Sequence, residues 1–409
     1  MTTATQKIPS GYKQTDIGVI PADWDVRTLG DIAQFNNGKA HEQFINDAGR
    51  YIVVNSKFIS TEGEVFKTSD KNLSPLSTGD IVMVMSDIPN GKALAKCFYI
   101  GETGKYTLNQ RICSFKSKEA DGLYLFYKLN RNKYFLDFDS GVGQTNLKKS
   151  EVLDCPVVLP SNKNEQIAIS NALSDANILI EKIEQLIEKK KNIKQGVMQE
   201  LLTGKRRLPG FSGKWKTEKL GDVADFEHGR GLPKSDLSED GNYKCIHYGQ
   251  LFTVYQELIR DIKSRTNINQ GCFYSKANDV LMPTSDVTPR GLATASCIKE
   301  DGVILGGGIM VIRFKSGHDG LYFSYFVSQN KAAVLKLVKG STVFHLYAGD
   351  LTNLEINFPS LEEQSAIATI LSDMDTEIKK LESQLTKYQY IKQGMMQTLL
   401  TGKIRLLTK

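Results

Sequence analysis

A glycine–lysine pair in the middle of the chain is the first feature that could do chemistry. The stretch QGVMQELLTGKRRL suggests a nucleotide site, because phosphate-binding loops have the pattern G-x-x-x-x-G-K-[ST], which surrounds phosphates with backbone N–H groups. Here Gln199 stands where the first glycine belongs, and Arg206 follows Lys205. The stretch fits a helix end better, with Gly204 after the last turn and the basic residues through Arg207 complementing the helix C-terminus.

Other chemically active side chains are sparse in this sequence. The six cysteines are scattered without a C-x-x-C pair, and the five histidines are dispersed. We therefore expect reduced cysteines that pack as small apolar residues, and no metal site. The GGG run at residues 306–308 lacks the G-x-G-x-x-G pattern of a dinucleotide loop and predicts a kink in a strand. No catalytic residue is expected on this chain.

The composition is that of an ordinary globular protein with two or more domains. Of 409 residues, 40% are hydrophobic and 24% are charged, which allows sizeable cores. No run approaches the roughly 20 apolar residues of a membrane span, and the N-terminus lacks the apolar core of a signal peptide. We expect a cytoplasmic protein without a membrane partner. The formal net charge of +6 suits a polyanionic partner but does not identify one.

An internal duplication spans most of the chain. The segment EQIAISNALSDANILIEKIEQLIEKKKNIKQGVMQELLTGK from Glu165 aligns without a gap with EQSAIATILSDMDTEIKKLESQLTKYQYIKQGMMQTLLTGK from Glu363, an offset of 363 − 165 = 198 residues. The only two tryptophans, Trp24 and Trp215, open a second matched pair, WDVRTLGDIAQFNNG and WKTEKLGDVADFEHG. Weaker echoes include GDIVMVMSD with NDVLMPTSD, and DGLY twice. Each half is therefore predicted to be a globular segment followed by a long helix.

Apolar residues recur along both predicted helices at the three-four spacing of a coiled-coil seam. The seam residues are Leu173, Ile180, Ile183 and Ile187 in the first helix and Leu371, Met374, Ile378, Leu381 and Leu385 in the second. At 1.5 Å per residue, a helix from about Glu165 to Leu202 is roughly 57 Å long. We expect the two helices to pair antiparallel, which would relate the globular segments by pseudo-twofold symmetry. The alternative is a coiled coil between two chains.

The globular segments are predicted to be mixed α/β. Runs such as RYIVVNSKF and VILGGGIMVIRF indicate strands, with turns at Gly, Asp and Asn, whereas LYLFYKLN and LYFSYFVSQ predict short helices. The second segment follows the first helix through RRLPGFSGKW, and the first segment follows the free N-terminus through GVIPADW. This circular continuity predicts that the C-terminal LLTGKIRLLTK lies near the N-terminus. The predicted fold class is α+β.

Taken together, these motifs resemble the specificity subunit of type I restriction-modification systems. The resemblance rests on IPADW…LGDIAQFNNG, on the segments LPSNKNEQIAI and FPSLEEQSAI, and on the helix ends KQGVMQELLTGK and KQGMMQTLLTGKIRL, and it covers essentially the whole chain. It implies two target recognition domains, each of which reads one half of a bipartite DNA site. It also implies that two long antiparallel coiled-coil helices separate these domains, set their spacing and dock partner subunits.

The resemblance further implies the partners and the domain order. Members of this family have no catalysis of their own; they bind double-stranded DNA, two methyltransferase subunits and two restriction (motor-nuclease) subunits. S-adenosylmethionine, ATP and Mg are accordingly expected on the partner subunits, and no cofactor on this chain. The implied order is an N-terminal segment with the first target recognition domain at 1–159, a conserved spacer helix at 160–205, a linker with the second target recognition domain at 206–358, and a second conserved spacer helix at 359–409.

Two loop types in each half carry side chains suited to DNA contact. Bases are read by paired hydrogen bonds from Arg, Lys, Asn or Gln, and phosphates are bound by basic or hydroxyl groups on exposed loops. The first loop type is SDIPNGK with its counterpart SDVTPRG, and the second is SGVGQTNLKK with KGSTVFHLY. The candidate residues are Asn90, Lys92, Gln144, Thr145, Asn146, Lys148, Lys149, Thr288, Arg290, Ser341, Thr342, His345 and Tyr347. The alternative for each is a solvated loop residue without this role.

We therefore predict a non-enzymatic DNA sequence-recognition subunit, with two other classes of protein as alternatives. An enzyme acting on nucleotides or nucleic acid would need a catalytic constellation, yet the sequence contains no Asn-Pro-Pro-Tyr/Phe methyltransferase motif and no phosphate-binding loop. A coiled-coil interaction protein would not bind duplex DNA in a salt-sensitive manner. The lysine run EKKKNIK is typical of the solvated face of a helix, although it could pass near DNA phosphates.

Overall fold

The computed structural model describes residues 8–88 and 93–406. The chain divides into two compact units: unit 1 comprises Met1–Lys182 and Leu385–Lys409, and unit 2 comprises Ile183–Gln384. Each unit contains one mixed α/β module and a part of each long helix. Among the described residues, no helix is both long and apolar enough to cross a bilayer. The domain boundaries given above follow the order of the motifs and stay a prediction.

Unit 1 contains the first module. Its strands are β1 (Tyr12–Thr15), β2 (Gly18–Pro21), β3 (Trp24–Thr28), β4 (Ala33–Asn37), β5 (Tyr51–Val54), β6 (Lys67–Ser69), β7 (Ile81–Val84), β8 (Ser86–Asp87), β9 (Cys97–Tyr99), β10 (Tyr106–Leu108), β11 (Ile112–Ser117), β12 (Thr145–Asn146) and β13 (Pro156–Pro160). Its short helices are α1 (Leu29–Ile32), α2 (Ser56–Ser60), α3 (Gly122–Leu129), α4 (Lys133–Leu136) and α5 (Lys149–Leu153). The short helix predicted at LYLFYKLN is confirmed by α3. The run RYIVVNSKF is a strand only as far as Val54, because the Asn55 side chain caps α2.

The main sheet of unit 1 has the strand order β4-β11-β7-β9. Strand β7 is buried on both faces: Ile81 and Met83 pack in a core cluster with side chains of α3, whereas Val82 and Val84 pack in a second cluster with Val54. Successive side chains of a strand point to opposite faces, so a strand covered on both sides needs a continuous apolar run. The apolar sequence of β7 meets that requirement.

Unit 2 contains the second module. Its strands are β14 (Lys216–Lys219), β15 (Ala224–His228), β16 (Leu237–Ser238), β17 (Tyr243–Ile246), β18 (Leu258–Ile259), β19 (Ser264–Thr266), β20 (Phe273–Tyr274), β21 (Val280–Pro283), β22 (Ser285–Asp286), β23 (Ser296–Ile298), β24 (Ile304–Leu305), β25 (Ile309–Phe314), β26 (Lys339–Gly340), β27 (Phe344–His345) and β28 (Glu355–Phe358). Its short helices are α7 (Leu220–Val223), α8 (Gln250–Thr253), α9 (Pro289–Leu292), α10 (Gly320–Gln329), α11 (Lys331–Leu335) and α12 (Ala348–Leu351). Helix α10 confirms the short helix predicted at LYFSYFVSQ.

The sheets of unit 2 repeat the plan of unit 1. The strand orders are β15-β25-β21-β23-β18 and β16-β19-β17-β24-β20. The three glycines at residues 306–308 separate β24 from β25, which belong to different sheets, whereas the sequence predicted a kink within one strand. A Cβ atom on Gly229 would lie 2.1 Å from the carbonyl oxygen of Gly306, and one on Gly38 of unit 1 would lie 1.9 Å from that of Asn109. This close backbone approach explains the glycine shared by FNNG and FEHG.

The long helices α6 (Lys163–Leu201) and α13 (Leu361–Leu399) each contain 39 residues, which corresponds to roughly 58 Å. In unit 1, Leu173 near the start of α6 packs in one core cluster with Leu399 at the end of α13. In unit 2, Leu371 near the start of α13 packs with Leu201 at the end of α6. The two helices therefore run antiparallel within each unit, as predicted.

The seam residues face the protein interior to different degrees. Leu173, Ile183, Ile187, Leu371 and Ile378 are buried, and Ile180, Met374, Leu381 and Leu385 are partly buried. In unit 2, ion pairs accompany the seam: Lys190 lies 2.7 Å from Glu377, Lys191 lies 2.7 Å from Glu382, and Lys194 pairs with Asp375. Three lysines of the run EKKKNIK thus bind acidic residues of the other helix.

A buried carboxylate ties the end of α13 to the start of α6 in unit 1. Arg405 donates two hydrogen bonds to Glu165, at 2.6 and 2.8 Å, and two to Asp23, at 2.8 and 2.7 Å. Its guanidinium lies over the ring of Trp24, whose Nε1 also donates to Glu165. The hydroxyl of Tyr12 donates to the carbonyl of Gly402. The prediction that the C-terminal segment lies near the N-terminal segment is confirmed by these contacts.

Unit 2 contains the matched arrangement and corrects one expectation. Arg207 donates two hydrogen bonds to Glu363, at 2.6 and 2.5 Å, and lies over the ring of Trp215. The role expected for Arg207 at the helix C-terminus is therefore wrong, because its guanidinium is held by a carboxylate from α13. Gly204 has a φ of +69°, the left-handed conformation predicted for the residue after the last turn.

The glutamine next to each buried glutamate ties the module to its long helix. Gln166 accepts a hydrogen bond from the backbone of Asp121 and donates to the carbonyl of Pro160. In unit 2, Gln364 binds the backbone of Asp319 and the carbonyl of Pro359 in the same way. The aspartates cap α3 and α10. The repeated motifs EQ and DGLY and the proline before each long helix therefore contribute to the same contact between the module and that helix.

Candidate nucleic-acid interface

The two loop types predicted from the sequence lie side by side in each unit. In unit 1, β8 pairs antiparallel with β12, with Ser86 opposite Asn146 and Asp87 opposite Thr145. In unit 2, β22 pairs antiparallel with β27, and β26 extends this small sheet. Each pair holds only two residues per strand, so it is too short to give a periodic signal in the sequence. The structure thus brings segments about sixty residues apart to one edge of each module.

Hydrogen bonds fix the candidate amides of unit 1. The hydroxyl of Ser86 donates to Oδ1 of Asn146 at 2.6 Å, and Nε2 of Gln144 donates to the same hydroxyl oxygen at 2.6 Å. The hydroxyl of Thr145 donates to Asp139 at 3.0 Å. These contacts hold the polar groups in one orientation, which lowers the entropy lost when such groups bind a ligand.

An aspartate holds the start of the first loop in each unit. The carboxylate of Asp87 accepts hydrogen bonds from the backbone N–H groups of Ile88, Ala93 and Leu94, at 2.8–3.0 Å. The carboxylate of Asp286 accepts from the backbone N–H of Val287 and from the hydroxyl of Thr288, both at 2.7 Å. These hydrogen bonds from the aspartates to the loop were not predicted from the sequence. The Ser-Asp dipeptide that the two halves share is the signal that could have indicated them.

The other candidate residues are distributed over these edges. Lys148 is exposed with Glu151 3.8 Å away, and the ammonium group of Lys149 lies 5.4 Å from the ring centre of Phe35. Thr288 precedes α9 and Arg290 is exposed on it. Ser341 and Thr342 are exposed in the turn between β26 and β27, and the ring of His345 stacks on that of the exposed Tyr347. Asn90 and Lys92 lie outside the described residues.

Three ionisable groups outside the candidate loops have shifted pKa values. Lys128 donates to the carbonyl of Leu400 at the end of α13, and burial lowers its pKa to about 8. Burial raises the pKa of Cys155 and of Cys297 to about 12, which keeps both thiols protonated. Within residues 8–88 and 93–406, no group of His, Cys, Asp and Glu side chains is arranged to hold a metal ion.

Comparison with known proteins identifies the family. A family model described as the type I restriction modification DNA specificity domain matches the chain twice, at residues 21–192 and 212–388. The type I restriction enzyme MjaVIII specificity subunit of Methanocaldococcus jannaschii is 24% identical over 94% of this chain and 94% of its own length. The putative MjaX specificity subunit of the same organism is 26% identical over 97% of both chains.

A solved structure shows the same fold. The crystal structure of the type I restriction-modification system S subunit from M. genitalium aligns with a TM-score of 0.62 at 16% identity, covering 97% of this chain and 99% of that one. Two family matches that include both modules and large parts of both long helices, at the positions of the internal repeat, cover more than half of the sequence. The chain therefore belongs to the family of specificity subunits of type I restriction-modification systems.

Proposed function

We propose that each module reads one half of a bipartite DNA site, and that the paired loops form the reading edge. The observation that carries this proposal is the pairing of β8 with β12 and of β22 with β27. In two modules of diverged sequence, the same two segments meet. They carry amide, hydroxyl and ammonium side chains in unit 1, and hydroxyl, imidazole and guanidinium side chains in unit 2. Hydrogen-bonding groups held in fixed positions on an edge suit the donor and acceptor pattern of the major groove.

The long helices would set the spacing between the two half-sites and dock the partner subunits. Their length of roughly 58 Å exceeds what one module needs for packing. They also expose large apolar side chains to solvent, including Leu186 and Ile193 on α6 and Tyr390 and Ile391 on α13. These exposed apolar side chains are available to pack against a protein partner.

In this proposal the chain contributes recognition and no chemistry. The methyltransferase subunits would carry S-adenosylmethionine, and the restriction subunits would carry ATP and Mg. The complex would act on double-stranded DNA in the cytoplasm, with two copies of each partner. The names of the similar proteins, which are subunits of restriction enzymes, support this division of roles.

The reading edge is tested by replacing Gln144, Thr145 and Asn146 with alanine in the complex with the methyltransferase subunits. Each lost base contact weakens recognition by roughly 1–3 kcal/mol. We therefore expect methylation mapping to show relaxed or lost recognition of one half-site, with the other half unchanged. The matched control replaces Ser341, Thr342 and His345, which should affect the opposite half-site. Uniform weakening on all sequences would instead assign the loop to phosphate contacts.

The two alternative functions predict different binding behaviour. A protein that contacts phosphates loses affinity steeply with salt, because each neutralised phosphate releases counterions. Proteins that contact DNA phosphates lose at least about tenfold in duplex affinity between roughly 50 and 200 mM salt. A duplex affinity that does not change over this range of salt would favour a coiled-coil interaction protein. Binding of S-adenosylmethionine or cleavage of DNA by the isolated chain would favour an enzyme.

A further inference from the structure

Two exposed aliphatic side chains occupy the same position in the two reading edges. Ile88 follows Asp87 in unit 1, and Val287 follows Asp286 in unit 2. The two residues are 68% and 72% exposed. A single exposed aliphatic residue is common on a protein surface. In this protein, however, the matched position of the internal repeat is aliphatic and exposed in both halves.

The backbone holds both residues in the same local arrangement. The N–H of Ile88 donates to the carboxylate of Asp87 at 2.9 Å, and the N–H of Val287 donates to the carboxylate of Asp286 at 2.7 Å. The aspartates are themselves fixed in strands β8 and β22, which pair with β12 and β27. Each aliphatic side chain is therefore positioned directly beyond the paired strands, next to the candidate hydrogen-bonding groups.

The internal repeat shows what is kept at this position and what is not. The four residues that follow are PNGK in the first half and TPRG in the second, so the loop has diverged in charge and in hydrogen-bonding capacity. The β-branched aliphatic residue between Ser-Asp and the divergent loop is retained in both halves. A requirement for solubility or for a turn would favour a polar residue there, which points to an apolar partner outside the chain.

We propose that Ile88 and Val287 each contact the 5-methyl group of a thymine in the half-site that its module reads. This inference rests on the proposed function and deepens it. The thymine methyl is the apolar group that a base pair presents in the major groove, next to the acceptors and donors that polar side chains read. The fixed polar groups near the aliphatic side chain are the amides of Gln144 and Asn146 in unit 1 and the hydroxyl of Thr288 in unit 2. An aliphatic side chain beside such groups is complementary to that pattern, and it would read thymine without a hydrogen bond.

The test uses the full-length chain in complex with its methyltransferase subunits and the target sequence obtained from methylation mapping. Duplexes are prepared in which single thymines are replaced by deoxyuridine, which removes the methyl group and keeps every hydrogen-bonding group. We expect one replacement in each half-site to weaken binding about fourfold, the change that corresponds to about 0.8 kcal/mol for one buried methyl group.

The variants Val287→Ala and Ile88→Ala connect that effect to the side chains. Val287→Ala should lose the discrimination between thymine and uracil in one half-site and keep it in the other, and Ile88→Ala should do the reverse. Each variant is thus the control for the other. Ile268→Ala, an exposed apolar residue of unit 2 outside the candidate loops, should keep both effects.

Several outcomes would overturn the inference. These are a half-site without thymine, equal affinity for thymine and uracil duplexes, or the same loss of affinity for both duplexes in the variants. A 2-aminopurine placed in the half-site becomes more fluorescent when its base is unstacked. If binding increases this fluorescence and Val287→Ala abolishes the increase, the side chain inserts between base steps instead. If the complex binds sequence-specifically without discriminating uracil, this inference fails alone; if it does not bind sequence-specifically, the proposed function fails as well.

Discussion

At the scale of single residues, the buried Glu165 depends on Arg405. The Glu165 side chain is 1% exposed, and a buried carboxylate is stable only when it is paired and hydrogen-bonded. Removing one partner of such a pair costs about 3–5 kcal/mol, because the other charge stays buried without compensation. We therefore expect Arg405→Ala to lower the urea midpoint of unit 1 by about 1–2.5 M, given an m-value of roughly 2–3 kcal/mol/M.

This prediction can be measured with the tryptophan fluorescence of one unit. In a Trp215→Phe background, Trp24 is the only tryptophan and reports on unit 1. Lys403→Ala is the matched control, since Lys403 is an exposed basic residue two positions away. If both variants unfolded at the urea midpoint of the parent protein, the ion pair between Arg405 and Glu165 would not contribute to stability.

The partly buried Lys128 gives the stability of unit 1 a predictable dependence on pH. Its pKa in the folded state is about 8, below the ordinary value of about 10.4 that the unfolded chain has. Below pH 8 the protonated ammonium is buried at full cost, and between about pH 8 and 10 only the unfolded state keeps the proton. Stability from this group therefore rises with pH across that interval.

The change Lys128→Met should remove this dependence. The free energy of unfolding of the variant minus that of the parent should be largest below pH 8, and this difference should decrease as the pH rises towards about 10.4. Phe326 stands at the matched position of unit 2 and packs partly against its core, so an apolar side chain is compatible with this site. Lys133→Met, at an exposed lysine of unit 1, is the control. A constant difference at all pH values would contradict the buried ammonium.

At the scale of elements, the seam of the long helices should tolerate no charge at its buried positions. Ile183 is 8% exposed, whereas Leu381 is only partly buried. Ile183→Asp would place a carboxylate without a partner in an apolar environment, and it should lower stability by several kcal/mol. Gln185→Asp, an exposed position two residues away, should change stability by about 0.5 kcal/mol or less.

Thermal unfolding followed by circular dichroism, together with size-exclusion chromatography with the methyltransferase subunits, would check the seam. We expect Ile183→Asp to lose both helical stability and assembly. A soluble variant that unfolds at the parent temperature and still assembles would show that the helices are not held together by these apolar positions.

At the scale of the whole molecule, the spacing role of the helices can be tested by lengthening them. An insertion after Glu200 would disturb Leu201 and Leu202, which are buried in a core cluster of unit 2. We therefore place four helix-forming residues after Lys182 in α6 and four after Gln384 in α13, at the boundary between the units. Each insertion adds roughly 6 Å and rotates the following segment by about 40° beyond a full turn.

If the helices set the spacing, the preferred gap between the half-sites should grow by one or two base pairs. DNA advances roughly 3.4 Å per base pair and rotates by about 34–36° at 10–10.5 base pairs per turn. The insertion therefore increases both the length and the rotation of the helices, as additional base pairs do in the DNA. Because the two increments do not match fully, we expect some loss of affinity. Methylation mapping on half-sites at graded spacings measures the gap. An unchanged gap in a folded, active variant would limit the helices to docking partners.

The sequence by itself determined the features that depend on local pattern. The duplication, the two long helices, their antiparallel pairing and the short helices at DGLY follow from repeated motifs, three-four spacing and capping residues. The left-handed glycine after α6 was also predictable, because glycine is the residue that this backbone conformation favours. Each of these signals lies within a few residues or repeats at a fixed offset.

Only the tertiary structure decided which distant residues meet. Arg405 and Glu165 are separated by 240 residues in the chain, and Ser86 and Asn146 by 60. The sequence placed Arg207 at a helix C-terminus because local rules offered that partner, whereas folding brought a buried glutamate within reach. The exposure of Ile88 and Val287 was equally hidden, because no local pattern of the sequence reports how much of a side chain stays exposed. The physical reason is that burial, ion pairing and two-residue strand pairing depend on the packing of remote segments, and no local pattern encodes it.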